Sequence, residues 1–154
     1  MATRILIMGA SKQQNPKEGV MPAIFRFNSL RWQTLRQLLD GQIPTTRPLR
    51  VLAFTPTHGI IAVSQPISKE PNDWNGSTWR KDLPRIHGSY SRILRPMIDP
   101  GTEIFISANA IYQLVLNECG LQKDVVQRGA SLYAPTTTSS IGVQKLRNWI
   151  LEKN

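Results

Sequence analysis

The chain is short of acid and nearly without cysteine. Cys119 is the single cysteine in 154 residues. That excludes an intrachain disulfide framework and fits a reducing, cytoplasmic setting. With His58 and His87 it makes three possible zinc ligands, but their positions show no ligand spacing. No metal and no cofactor are expected. Asp and Glu number only 10. Asp73, Asp82, Asp99, Glu103 and Glu118 show no paired spacing, which argues against a metal-dependent nuclease or a two-carboxylate hydrolase. No apolar run reaches the roughly 18 residues of a membrane span, and no secretory leader is recognisable, so neither a membrane nor export is expected. The glycine fingerprints GxGxxG and GxxxxGK[ST] are missing, as is the G-x-S-x-G nucleophile elbow.

What the chain does have is positive charge. Nineteen Lys and Arg give a net charge of +9 and an isoelectric point near 10.3. Such a surplus concentrates polyanions, and nucleic acid or a nucleotide-like anion is the partner it points to. Hydrophobic residues make up 40% and charged residues 19%, the balance of a globular chain. Its length suits one domain, residues 1–154, with a proper core.

Arg4-Ile5-Leu6-Ile7-Met8-Gly9 is a short apolar run ending in glycine. It predicts a strand buried on both faces, central in a parallel sheet. The loop from Gln13 to Met21, with Pro16 and Gly19, has no periodicity. Asn28 or Ser29 can cap a helix bearing Trp32, Leu35, Leu38 and Leu39, stopped at Asp40-Gly41. A Pro/Thr linker, Gln42 to Pro48, leads to a second strand at Arg50–Phe54. Ile60–Val63 is a short third strand, and Ser64 to Ser77 a long loop. Pro84 suits a helix start, and Tyr90, Ile93, Leu94 and Met97 form an amphipathic stripe. Glu103–Ile106 is the next strand. Ser107 caps a helix with Tyr112, Val115, Leu116 and Cys119 inward, closed by Gly120. Val125-Val126 is a last short strand. Pro135 to Ser140 is a hydroxyl-rich loop, and Ser139 or Ser140 caps a final helix with Val143, Leu146, Trp149 and Ile150 inward. Strands alternating with amphipathic helices predict a single α/β domain with a mostly parallel central sheet and helices on both faces.

Ligands of open α/β sheets sit beyond the carboxyl ends of the strands. Ser11 and Lys12 follow the first strand directly, so the hydroxyl, the amine and the loop amides can hold an anion. Lys12 is also a candidate nucleophile, and His58, at a strand end, a candidate acid/base. Arg26, Asn28 and Arg31 lie among Phe27 and Trp32 at a helix start, a second anion-favouring place. Arg80, Lys81, Arg85, Arg92 and Arg95, with Trp74, Trp79 and Tyr90, form a basic and aromatic stretch that can track a phosphate backbone. The leading reading is binding of nucleic acid or a nucleobase- or nucleotide-like ligand. The alternatives are a base-modifying or glycosidic-exchange enzyme using Lys12 or His58, and a basic protein-interaction module.

Several short motifs carry a resemblance. They are Ser11-Lys12 after the first strand, Pro22-Ala23-Ile24 with Arg26, Phe27 and Asn28, Leu30 through Arg36, Gly59-Ile60-Ile61, Pro66-Ile67, Pro135 and Ile141-Gly142. The chain is similar to a group of small bacterial and phage proteins of unassigned function whose first loop reads Cys-Ser-Lys. That group looks distantly related to the lysine-bearing domain of archaeosine synthases, which act on a deazaguanine base in tRNA, and to peroxide-stress YaaA-type proteins, which bind DNA. On this resemblance Ser11, Lys12, Gly59 and Ile60 match. The family's cysteine position is Ala10 here, the position of the synthases' attacking lysine is Gln14, and the lysine and aromatic residue of the family's second motif are Thr57 and His58. The resemblance thus implies a retained pocket without the synthases' attacking amine.

Overall fold

The computed structural model describes residues 3–40, 48–135 and 140–152. Five strands form one sheet: β1 (Arg4–Gly9), β3 (Leu49–Thr55), β4 (Gly59–Ala62), β6 (Glu103–Ser107) and β7 (Ser131–Tyr133), in the order β4-β3-β1-β6-β7. β1 runs parallel to β3 and β6, and β6 parallel to β7. β4 alone runs antiparallel, folding back on β3 through the turn at Thr57-His58. Every residue of β1 is buried, as an apolar run between two neighbours requires.

Side chains alternate along a strand, so β1 feeds two cores. Ile5 and Ile7 pack with Ile86, Tyr90, Val115, Leu116, Leu121 and Val125. These belong to α3 (Leu83–Ser89) and its extension, to α4 (Ala110–Glu118) and to α5 (Leu121–Arg128). Leu6 and Met8 pack instead with Ala23, Trp32, Leu35, Leu146 and Ile150. Those come from α1 (Ala23–Arg26), α2 (Leu30–Asp40) and α6 (Ser140–Ile150). β3 and β6 split in the same way, with Leu52, Phe54, Ile104 and Ile106 on the first side and Ala53 and Phe105 on the second.

The local expectations meet four corrections. Val125 and Val126 lie within α5, not in a strand. Glycines with φ of 102° and 72°, Gly120 and Gly129, bracket this amphipathic helix of 8 residues, and Val126 faces solvent. The strand follows at β7. Ser107 is the last residue of β6, paired with Met8, and the cap of α4 is Asn109, whose side chain accepts from the Tyr112 N–H at 3.0 Å. The stripe of Tyr90, Ile93, Leu94 and Met97 faces the core but is longer than expected: Ile86 and Ile98 join it, and Ile86, Tyr90, Leu94 and Ile98, four apart, form its fully buried line. A regular α-helix would rotate such residues off one face; a widened turn over Tyr90–Leu94 keeps them in line. The long 64–77 loop is pinned: β5 (Pro66–Ile67) pairs with β2 (Met21–Pro22), and the buried Trp74 donates to Asp82 at 2.9 Å. The expected helix stop at Gly41, the linker from residue 42 to 47 and the capping position Ser139 lie outside the described residues.

The topology reverses at β1. The chain lays β3 on one side of it and then returns to lay β6 on the other, which opens a crevice beyond the carboxyl ends of β1 and β6. Gly9 sits at that point, where a Cβ would come within 2.7 Å of Ala108 Cβ and 3.1 Å of Tyr112 Cδ2. Gly9→Ala therefore overpacks the junction of β1 and α4 and should destabilise the protein by about 1–3 kcal/mol, read as a lower midpoint in urea at unchanged slope.

Candidate functional site at the carboxyl edge of the sheet

The crevice is a real cleft with two compartments. One, of about 310 Å³, is lined by the loop after β1, the start of α2, Asp73 and Asn109. The other, of about 300 Å³, is lined by the same loop, by Gln14, by the 70–75 segment and by Tyr112. Ala10, Ser11, Lys12 and Asp73 belong to both. Larger hollows elsewhere, between α1 and α2 and between β7 and α6, gather no comparable set of charges at a strand end.

Lys12 Nζ stands 3.6 Å from Asp73 Oδ2, bridging the cleft between its two loops. Its side chain is 83% exposed. An attacking amine needs a desolvated or cationic setting, and an exposed ammonium beside a carboxylate has neither. Ser11 Oγ donates to the Gln13 carbonyl at 2.7 Å and shapes the loop.

Arg31 is the most constrained cation of the site. It is 7% exposed and donates to the Ser107 carbonyl at 2.7 Å, to Ser107 Oγ at 3.4 Å and to the Gly9 carbonyl at 3.3 Å. Among the described residues no carboxylate pairs with it. Burial pulls its pKa down to about 10, against a smaller opposing effect of Tyr112. It is still charged at neutral pH, a buried cation whose partners are all neutral oxygens.

The carboxylates stand in the second compartment. Glu70 is 8% exposed. Its Oε1 accepts from Thr57 Oγ1 and, at 3.2 Å, from the Asn72 N–H. Its Oε2 is buried and has no hydrogen-bond partner among the described residues. Its backbone is locked by Gln14, which accepts from the Glu70 N–H at 2.7 Å and donates to the Glu70 carbonyl at 3.0 Å. Gln14 and Thr57, the two positions at which the resemblance puts lysines, thus both hold Glu70. Tyr112 lies between the poles. Burial raises its phenol above the ordinary value, Asp73 and Glu70 raise it further, and Arg31 opposes them. Its ring packs on Trp74 and Phe54 at centroid distances of 5.0 and 5.4 Å.

Of the residues singled out from sequence, Ser11, Lys12 and Arg31 line the cleft. Arg26 does not. It is fully buried and donates to the carbonyls of Asn15, Lys17 and Gly19, clamping the loop after β1. Asn28 lies on the hollow between α1 and α2 and accepts from Arg36 at 2.7 Å. His58 sits in the β3–β4 turn and lines neither compartment, because the hairpin carries it away from the mouth. The aromatics proposed for stacking, Phe27, Trp32, Trp74, Trp79 and Tyr90, are all buried core. The basic stretch divides. Arg85 donates to the Pro56 and Thr57 carbonyls and pairs with Asp82, and Arg95 pairs with Asp124 at 3.1 Å. Arg80, Lys81 and Arg92 are exposed with no carboxylate partner among the described residues.

Sequence reasoning missed Glu70, Asp73, Asn109 and Tyr112 as site residues. The long Pro/Asn loop was the one signal for the first two. Tyr112 reads as core because it is core, with an edge on the cleft.

No protein-family model, no curated protein and no solved structure matches this chain. The reading of the site therefore rests on its geometry.

Asp124 supplies a pH test of the Arg95 assignment. Burial alone would raise its pKa, but hydrogen bonds from Tyr90 and Arg95 outweigh that and hold the carboxyl below its usual range. A depressed carboxyl stabilises above the unfolded value and loses that contribution as pH falls through the folded one. Asp124→Asn should cost about 1–3 kcal/mol at pH 7, a gap from wild type that closes below about pH 4 in denaturant titrations.

Proposed function

We propose that the protein binds a nucleotide-like anion, free or at the exposed end of a nucleic-acid strand, in the cleft at the carboxyl edge of its sheet. One observation carries the reading: Arg31, buried at the strand ends without a carboxylate partner among the described residues. Taking a guanidinium out of water costs free energy that neutral carbonyls only partly return. A phosphate returns it, because a guanidinium offers parallel N–H donors that match phosphate oxygens. Lys12 adds a second, mobile charge at the mouth, and the place is where open α/β sheets take their ligands. An uncharged sugar or lipid gains nothing from that pair.

Thermal melts with pyrophosphate and nucleoside phosphates test this. A bound anion at about 100 times its Kd should stabilise wild type by about 2.7 kcal/mol. Arg31→Met should be less stable than wild type without ligand by about 1–3 kcal/mol, since it leaves the buried Gly9 and Ser107 carbonyls short of a donor, so the ligand-induced shift is read against each protein's own baseline. The variant should lose that shift. A shift kept in full by Arg31→Met, or absent in wild type, overturns the reading.

Contact with a longer strand is a second reading, favoured by Arg80, Lys81 and Arg92, which are exposed and have no carboxylate partner among the described residues. Arg80 and Lys81 lie in the turn of helix that follows the cleft-lining 70–75 segment, to which Asp82 is tied through Trp74. Fluorescence titrations with short DNA and RNA at several salt concentrations check it. Replacing all three by alanine should flatten the log–log salt slope by about 2–3. A wild type that ignores both polymers at low salt rules this contact out.

A further inference from the structure

We infer that Tyr112 and Asp73 together form a hydroxyl subsite of the cleft, where one sugar hydroxyl of the ligand accepts from the phenol and donates to the carboxylate, so that ribose is preferred to deoxyribose. The inference rests on the nucleotide reading above and adds the sugar to it.

Tyr112 carries a polar atom that the fold does not use. The residue is only 2% exposed, yet its hydroxyl makes no hydrogen bond among the described residues. A hydroxyl withdrawn from water without a partner is costly and uncommon in folded proteins. Nor is it sealed in, as Trp149 Nε1 is; it opens on the second compartment of the cleft. Its ring is held by Trp74 and Phe54, and Gly9 leaves no room for a Cβ beside it. Burial and the neighbouring carboxylates keep the phenol protonated, so it faces the cleft as a donor.

Asp73 supplies the matching acceptor. Its Oδ1 accepts from the Trp74 N–H at 3.0 Å, which fixes the carboxylate. Its Oδ2 lies 3.6 Å from Lys12 Nζ, too far for a hydrogen bond, and the side chain is 34% exposed. That oxygen is within a ligand's reach, and Lys12, on a flexible stem, can turn to a phosphate. Asp73 lines both compartments, so it borders Arg31 on one side and Tyr112 on the other.

A carboxylate in an anion site repels the phosphate. It aids binding only through the part of the ligand that comes next, and in a nucleotide that part is the sugar. A hydroxyl serves both groups with one oxygen. It donates to the carboxylate, which only accepts, and it accepts the phenol's proton. A carbonyl has no proton for Asp73, and a conjugated amino group has no lone pair for Tyr112.

Paired ligands test this on the wild-type protein: AMP and UMP, each against its 2′-deoxy and its 3′-deoxy form. Binding is followed by calorimetry and by the fluorescence of Trp74, which packs on Tyr112 and bonds to Asp73. At least one deoxy form should bind about tenfold or more weakly than its parent. Tyr112→Phe and Asp73→Ala should each bring that ratio to within about twofold of one, since each removes one of the hydroxyl's two partners. Tyr112→Phe should also melt within about 3 °C of wild type without ligand, because no protein hydrogen bond goes with the hydroxyl. Equal binding in every wild-type pair overturns the inference. So does a ratio that survives either substitution, or a larger fall in the melting point of Tyr112→Phe. If pyrophosphate binds while no deoxy form is disfavoured, the subsite fails and the anion reading stands. If neither pyrophosphate nor any nucleotide binds, both fall. Should a variant not fold, the wild-type pairs still decide.

Discussion

A single guanidinium joins the ends of the two central strands. Arg31 reaches from the first turn of α2 to the last carbonyls of β1 and β6, Gly9 and Ser107. Trp32, the next residue, donates its indole N–H to the same Gly9 carbonyl at 2.9 Å. Carbonyls at the carboxyl end of a parallel sheet have no further strand to bond, and buried ones need donors from elsewhere. Here one helix start supplies them. The position of α2 over the sheet, the register of the loop after β1 and the width of the cleft all depend on that contact. It also leaves a cation where a ligand would arrive.

The distribution of arginine explains why net charge is a poor guide to surface in this chain. Arg4 and Arg26 are fully buried and Arg31 nearly so. Arg4 donates to the Trp149 and Ile150 carbonyls and lies over the Trp149 ring, closing the end of α6. Arg26 gathers three loop carbonyls, and Arg36 holds those of Ile24 and Phe27 at 2.9 and 2.7 Å. Arginine acts here mainly as a backbone donor. Its five N–H groups can satisfy several carbonyls at once, which suits a chain with a long irregular loop between its first strand and first helix. The surplus of positive charge is real, but three of the 19 cations are buried.

This also marks what sequence can and cannot tell. The apolar runs of β1, β3 and β6 announce buried strands because an uninterrupted run has no exposed face to serve. The parallel sheet and the alternation of strands with helices follow from them. The place of Ser11 and Lys12 at the strand end follows too, since topology alone puts it there. Arg31 and Arg26 look alike in sequence, five residues apart beside aromatics. Only the path of the chain after β1 makes one a wall of the cleft and the other a clamp behind it. Glu70 is invisible because its environment comes from Gln14 and Thr57, 56 and 13 residues away. Val125-Val126 misleads for a local reason: β-branched residues favour strands, but the glycines on either side fix a helix between them.

The sheet ends in two very short strands, β4 with four residues and β7 with three. Central strands of this composition, left open along an edge, would be ready templates for strand addition by a neighbouring chain. The fold keeps them inside, and neither border offers a run long enough to nucleate a growing ladder. The most adhesive segments of a basic, aliphatic-rich chain are thereby kept from those of another copy.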